Sequence, residues 1–191
     1  MWQQAMFFDS GKIKNRRRRE SGFTLVELVI VIVLLGLLAV AALPRFLDIT
    51  DQAQTAAVEG VAGGFTMGTA LVRAQWMADG NGFGSAGTVV TVDGGDILTN
   101  ENGWPAQTSA GDASFNSQTA ADCLEVWNFV MQNPPRATIG SIANNDNYLV
   151  SALSSSPNIC VFTLIVNGEE DPLDRNFDYN LATGQVLVNL P

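Results

Sequence analysis

Histidine is absent from all 191 residues. That removes histidine general bases, Ser-His-Asp and Cys-His catalysis, and any histidine-ligated metal site. Lysine stops at Lys14, and only 15% of the chain is charged. The few bases are unevenly spread: Lys12, Lys14, Arg16, Arg17, Arg18 and Arg19 all precede residue 20. From Phe23 onward four arginines (Arg45, Arg73, Arg136 and Arg175) stand against seventeen acids, a net charge of −13. Nucleic acid is therefore not expected as a partner of the body. The length suits one ordinary domain plus an appendage. No catalytic residue, cofactor or metal site is expected.

What the sequence does hold is one long apolar run. Residues 1–22 form a basic leader ending in Arg16-Arg17-Arg18-Arg19-Glu20-Ser21-Gly22, and residues 23–43 follow with Glu27 as their single charge. A helix of that length rises about 31 Å, the hydrocarbon thickness of a bilayer. The β-branched stretch Val29 to Val33 would suit a strand in water. In lipid an isolated strand leaves its backbone unpaired, so a transmembrane helix is expected. Arginines before the run, with Asp48, Asp51 and Glu59 after it, put the N-terminus in the cytoplasm and the bulk of the chain outside. Two simpler readings compete. One is a secretory signal cut at Ala39-Val40-Ala41, although the run exceeds the usual length of about 7–15 residues and carries a carboxylate. The other is a plain single-span anchor, which periodicity leaves open.

Gly22-Phe23-Thr24-Leu25-Val26-Glu27 ahead of an apolar helix resembles the prepilin processing motif of type IV pilins and pseudopilins. The resemblance implies cleavage between Gly22 and Phe23 by a prepilin peptidase and N-methylation of Phe23. It also implies filament assembly through residues 23 to about 50, with Glu27 and the helix-bending Pro44 as assembly residues. The implied partners are other pilin subunits in a helical filament, the peptidase/N-methyltransferase, the inner membrane and the pilus assembly machinery. The implied course runs from a single-pass inner-membrane precursor to an extracellular pilus for surface attachment. Val58-Glu59-Gly60-Val61-Ala62-Gly63-Gly64 and Ala70-Leu71-Val72-Arg73-Ala74-Gln75-Trp76 are similar to pilins of the mannose-sensitive haemagglutinin (MSHA) system. Within the same superfamily the alternative is a pseudopilin of type II secretion. Outside it stands a membrane-anchored or secreted binding or hydrolytic module.

Beyond the span, Val58, Val61, Phe65, Val72 and Trp76 form one apolar stripe, so the helix should run to about residue 78 and stop at Asp79-Gly80-Asn81-Gly82. Gly60, Gly63, Gly64 and Gly68 lower helix propensity. They allow close approach of a sheet or another subunit, or else leave a bent, marginal helix. Residues 79–121 read as a long variable loop with one strand, Thr88–Val92. Asp122 to Met131 reads as a short helix capped by Asp122 and stopped by Asn133-Pro134-Pro135. Strands are expected at Tyr148–Leu153, Ile159–Val166, Asn176–Leu181 and Gln185–Leu190, with Asn167-Gly168 as a turn. The fold class is α+β: a long N-terminal helix over 23–78, half membrane-spanning and half amphipathic, packed on a C-terminal antiparallel sheet of about four strands within 122–191.

Cys123 and Cys160 are the only cysteines and both fall on the exported side, where thiols oxidise, so one disulfide is expected; the alternative is two free buried thiols. Asp93/Asp96 and Glu169-Glu170-Asp171/Asp174 offer oxygen ligands for Ca²⁺, but no EF-hand spacing is present and a solvated acidic face is the simpler reading. Nothing in the sequence brings two of these carboxylates together as a glycosidase pair. Trp76 and Trp127 belong to apolar helix faces and read as core, while Trp104 is open to either packing or sugar stacking.

Overall fold

The computed structural model describes residues 22–84, 86–154 and 158–191. The basic leader, up to Ser21, lies outside the described residues. In chain order the elements are α1 (Leu25–Ala78), β1 (Thr88–Val92), β2 (Gly95–Thr99), β3 (Pro105–Gln107), α2 (Ala120–Val130), β4 (Ala137–Thr138), β5 (Tyr148–Leu153), β6 (Ile159–Val166), β7 (Glu169–Glu170), β8 (Asn176–Asn180) and β9 (Val186–Asn189). The chain divides into two units, residues 1–47 and 48–191.

In the first unit α1 starts behind Thr24 and carries the apolar run. Pro44 falls inside the helical stretch, and its side chain is outside the described set.

In the second unit, α1 from Asp48 onward buries Val58, Ala62, Phe65, Thr69, Val72 and Trp76. Steps of four and three keep these on one face. Phe65 is the centre of the core. Its ring lies 5.1 Å from Phe162, 5.3 Å from Tyr179, 5.7 Å from Phe177 and 6.2 Å from Trp127. Offset and edge-on ring pairs at such distances add to the area term. Further along, Val72 and Trp76 pack with Val90 and Ile97 in a second, smaller cluster. The helix stops at Ala78, where Gly80 takes a positive φ of 76°.

The main sheet has the order β4-β5-β6-β8-β9, with β7 paired to the far end of β6. The four expected strands are β5, β6, β8 and β9, in antiparallel register such as Val150↔Phe162 and Phe162↔Phe177. The α+β class therefore holds, with additions. β4 joins β5 in parallel, and β7 closes the Asn167-Gly168 turn. Both additions are two residues long, too short to carry a period.

The stretch expected as a loop with one strand instead forms a three-stranded antiparallel sheet, β1-β2-β3. Its first hairpin turns on Asp93-Gly94, with φ of 51° and 80°. Positive φ at both central residues is what a two-residue hairpin turn of this hand needs.

α2 is capped by Thr119 rather than Asp122. The Asp122 amide donates to the Thr119 hydroxyl at 3.4 Å, and the Thr119 amide donates back to Asp122 Oδ2 at 2.7 Å. Asp122 is thus the third helical residue of a capping box. At the other end the Trp127 indole N–H donates to the Pro135 carbonyl at 3.0 Å.

Candidate processing and assembly site

At the head of α1 four consecutive features meet. Gly22 is exposed, and a Cβ built on it would meet nothing within 4 Å. Nothing in the chain's own fold demands glycine there. Phe23 is 90% exposed. The Thr24 amide donates to Glu27 Oε2 at 2.9 Å, the Thr24 hydroxyl donates to the same oxygen at 2.8 Å, and the Glu27 amide returns a bond to the hydroxyl at 3.2 Å. This is a reciprocal capping box, which satisfies free amides at the helix start and sets a carboxylate where the helix dipole favours one. Behind it Leu25–Leu43 forms a 19-residue stretch of mean hydropathy 3.0, with none of it buried. Its large side chains are 42–78% exposed. Water would penalise so much bare apolar surface, so a bilayer or other protein has to cover it.

The sulfurs of Cys123 on α2 and Cys160 on β6 are bonded, with Cα atoms 5.7 Å apart and 37 residues between them in sequence. Both are fully buried within the same core cluster as Phe65. The bond pins α2 to the middle of the sheet.

Among the described residues no three of His, Cys, Asp or Glu converge as a metal cluster. Asp171, grouped above with possible Ca²⁺ ligands, is instead spent on Arg175. The Arg175 Nε donates to Asp171 Oδ2, and Nη2 donates to Oδ1 at 2.9 Å. Both side chains are buried. The Arg175 hydrogen bond holds the Asp171 carboxyl below the usual carboxylate range, against the opposing pull of burial. The same guanidinium reaches α1, donating to the Asp51 carbonyl at 3.0 Å and to Gln54 Oε1. Sequence reading missed this clamp. Asp96, from the other acidic pair, accepts the Thr91 hydroxyl at 2.7 Å.

Trp104 is half-buried. Arg73 sits over three rings, 4.6 Å from Trp76, 5.1 Å from Phe83 and 5.4 Å from Trp104. Gly103 and Gly184, both at positive φ, lie where a Cβ would strike Trp76 and Trp104 respectively. The tryptophans thus pack around an internal cation. Burial lowers the Arg73 pKa. Glu125 links α2 to the end of β3 by accepting the Thr108 and Ser109 amides at 2.7 and 2.9 Å. Burial raises its pKa, but the amides and hydroxyls of Ser109 and Thr108 together outweigh it and the net shift is downward.

Comparison with known proteins gives this geometry a family. The prokaryotic N-terminal methylation motif matches residues 17–43. The major component of a type IV narrow pilus from Thermus thermophilus is 36% identical over 103 residues, 54% of this chain and 78% of that protein. Fimbrial protein Q of Moraxella bovis is 30% identical over 157 residues, 80% of this chain and 90% of that protein. The chain belongs to the type IV pilin family. This pilin is also 42% identical to the type II secretion system core protein G of Pseudomonas aeruginosa, over 45 residues that make up 32% of that protein. No solved structure matches the pilin. Membership of this family supports a pilin-type structural role.

Proposed function

We propose that this pilin is a subunit, major or minor, of a type IV pilus used in surface attachment. It is made as a single-pass inner-membrane precursor with its N-terminus in the cytoplasm. A prepilin peptidase cuts between Gly22 and Phe23 and methylates the new amine of Phe23. The processed subunit then enters the filament through α1, with the assembly machinery and neighbouring subunits as partners. The observation that carries this reading is the run Gly22 to Glu27, exposed and capped, at the head of an apolar stretch that the subunit itself leaves bare.

In assembly, Glu27 pairs with the amine freed at Phe23 of a neighbouring subunit, because charges inside a membrane are usually paired and functional. Pro44 bends the helix as it leaves the membrane-spanning part. The disulfide of Cys123 and Cys160 hardens the exported body. Within pili we assign the subunit to the MSHA type, on the sequences Val58–Gly64 and Ala70–Trp76.

A type II secretion pseudopilin is the alternative. The relatives named for pili and fimbriae match over 78% and 90% of their own lengths, against 32% for the secretion protein, and that weighs for the pilus. Antibodies raised against the body should decorate long surface filaments in thin-layer electron microscopy, and a strain lacking the chain should lose that decoration. Signal confined to the cell envelope would move the assignment to the pseudopilin.

A further inference from the structure

The second unit holds three arginines, and two are spent within the fold. Arg136 pairs with Asp146, and Arg175 pairs with Asp171 and Asp51. Arg73 forms no ion pair and no side-chain hydrogen bond among the described residues. Aromatic rings surround it instead, with its guanidinium carbon 4.6 Å from the Trp76 ring, 5.1 Å from Phe83 and 5.4 Å from Trp104. Ring faces attract the cation and fix its position, but they neither neutralise the charge nor accept a full hydrogen bond.

One part of this cluster is closed and another is open. Gly103 lies against Nη1 and the Trp76 ring, where a Cβ would strike both, and Gly184 lies equally close to Trp104. Nη1 and the Trp76 indole nitrogen are both buried with no hydrogen-bond partner. Arg73 as a whole is only partly buried, as is Trp104. Phe83 is 74% exposed, although its ring meets Trp76 edge-on at 5.8 Å. A positive charge is thus fixed in place, partly out of water and unpaired, beside an exposed aromatic ring. Such a charge in a native fold calls for a partner from outside the chain.

We propose that Arg73 and Phe83 form a binding site for a sugar that carries a single carboxylate. The guanidinium is a planar fork of donors that matches a carboxylate. Because the rings and Gly103 already hold it, pairing costs little side-chain entropy. Phe83 supplies a flat apolar face, and the C–H face of a pyranose covers it. A sugar acid presents both features on one small, stiff body. A neutral sugar would leave the cation unpaired. A run of carboxylates would meet the rest of an acidic body, whose net charge from Phe23 onward is −13, and be repelled. The ligand is therefore an acidic residue on an otherwise neutral glycan. The site belongs to the body alone and stands apart from the pilus reading.

The test titrates the full-length chain, solubilised in detergent, with the disaccharide glucuronyl-galactose. Tryptophan fluorescence is the readout, because Trp76 and Trp104 both lie beside Arg73. A saturable change in the millimolar range is expected. The methyl ester of the same disaccharide keeps the ring and loses the charge, and it should bind about tenfold more weakly or worse. Arg73→Gln should lose binding to the same degree. Phe83→Ala, at an exposed position, should keep the melting temperature and weaken binding severalfold. If Arg73→Gln fails to fold, the ester and Phe83→Ala decide the matter on an intact body. No saturable binding, equal binding of acid and ester, or full binding by a folded Arg73→Gln chain overturns the site. An Arg73→Gln subunit that folds and is cleaved but stays out of filaments, with no sugar bound by the wild type, would give Arg73 to a carboxylate of a second copy instead.

Discussion

At Glu27 the carboxylate already has local work, because Oε2 accepts both the amide and the hydroxyl of Thr24. Removing the charge while keeping an acceptor separates that work from assembly. In Glu27→Gln the side-chain carbonyl can still take the Thr24 amide, so insertion and cleavage should proceed as in the wild type. Pilus yield should drop sharply if the charge pairs with a neighbour's amine. Normal piliation would leave the cap as the residue's whole function. Asp171 gives the corresponding case in the body. Its folded-state pKa is depressed by Arg175, so its contribution is present above the unfolded pKa and is lost as pH falls through the folded value. Thermal stability of the detergent-solubilised subunit should therefore decline below about pH 4. Asp171→Asn should lower stability at pH 7 and flatten that acid limb, and an unchanged limb would refute the clamp. These two residues also mark what was legible. Gly22 to Glu27 are neighbours in sequence, so their pattern was readable directly. Arg175 meets Asp51 and Gln54 across 124 and 121 residues, and no local pattern announces such a contact.

Among the elements, the joint between α2 and β6 carries the most testable claim. A cross-link closing a loop of this length contributes about 4 kcal/mol in the chain-entropy model. Cys160→Ala should thus lower the melting temperature of the full-length subunit by about 10 °C, and reduce surface filament yield while leaving leader cleavage untouched. Equal melting of reduced and oxidised wild-type protein would contradict the bond's role. The strands flanking this joint were legible because Tyr148–Leu153 and Ile159–Val166 are β-branched and aromatic runs bounded by turn residues. β2 was missed although a cue was present: Asp93-Gly94 directly after the β-branched run Thr88–Val92 is a hairpin signal, but Gly95-Asp96-Ile97-Leu98-Thr99 has only two β-branched residues to mark a second strand. β3 was not legible at all. It is three residues long and begins with a proline, and it is held by the distant Tyr179 hydroxyl, which donates to the Pro105 carbonyl at 3.1 Å. The cap of α2 was misplaced by three residues because Thr119 and Asp122 both suit helix starts, and only the reciprocal bonds show which is the cap.

The whole molecule is organised by what its two ends require. One end is a basic leader and an apolar helix, the other a body with net acidic charge stapled by a single disulfide. That division of character was plain in the sequence, since hydropathy and charge segregate along the chain. That α1 packs on the sheet was expected from its apolar stripe; the aromatic partners that gather round Phe65 came only with the structure. The account depends on one covalent event: the leader is removed at Gly22, and the apolar helix becomes the new N-terminus. Intact-mass and fragment analysis of subunits from sheared surface filaments tests it directly. The account predicts a chain beginning at Phe23 with a methylated α-amine and one disulfide. A chain beginning at Ala42 or Leu43, as a secretory signal would leave, or one retaining Met1, would contradict it.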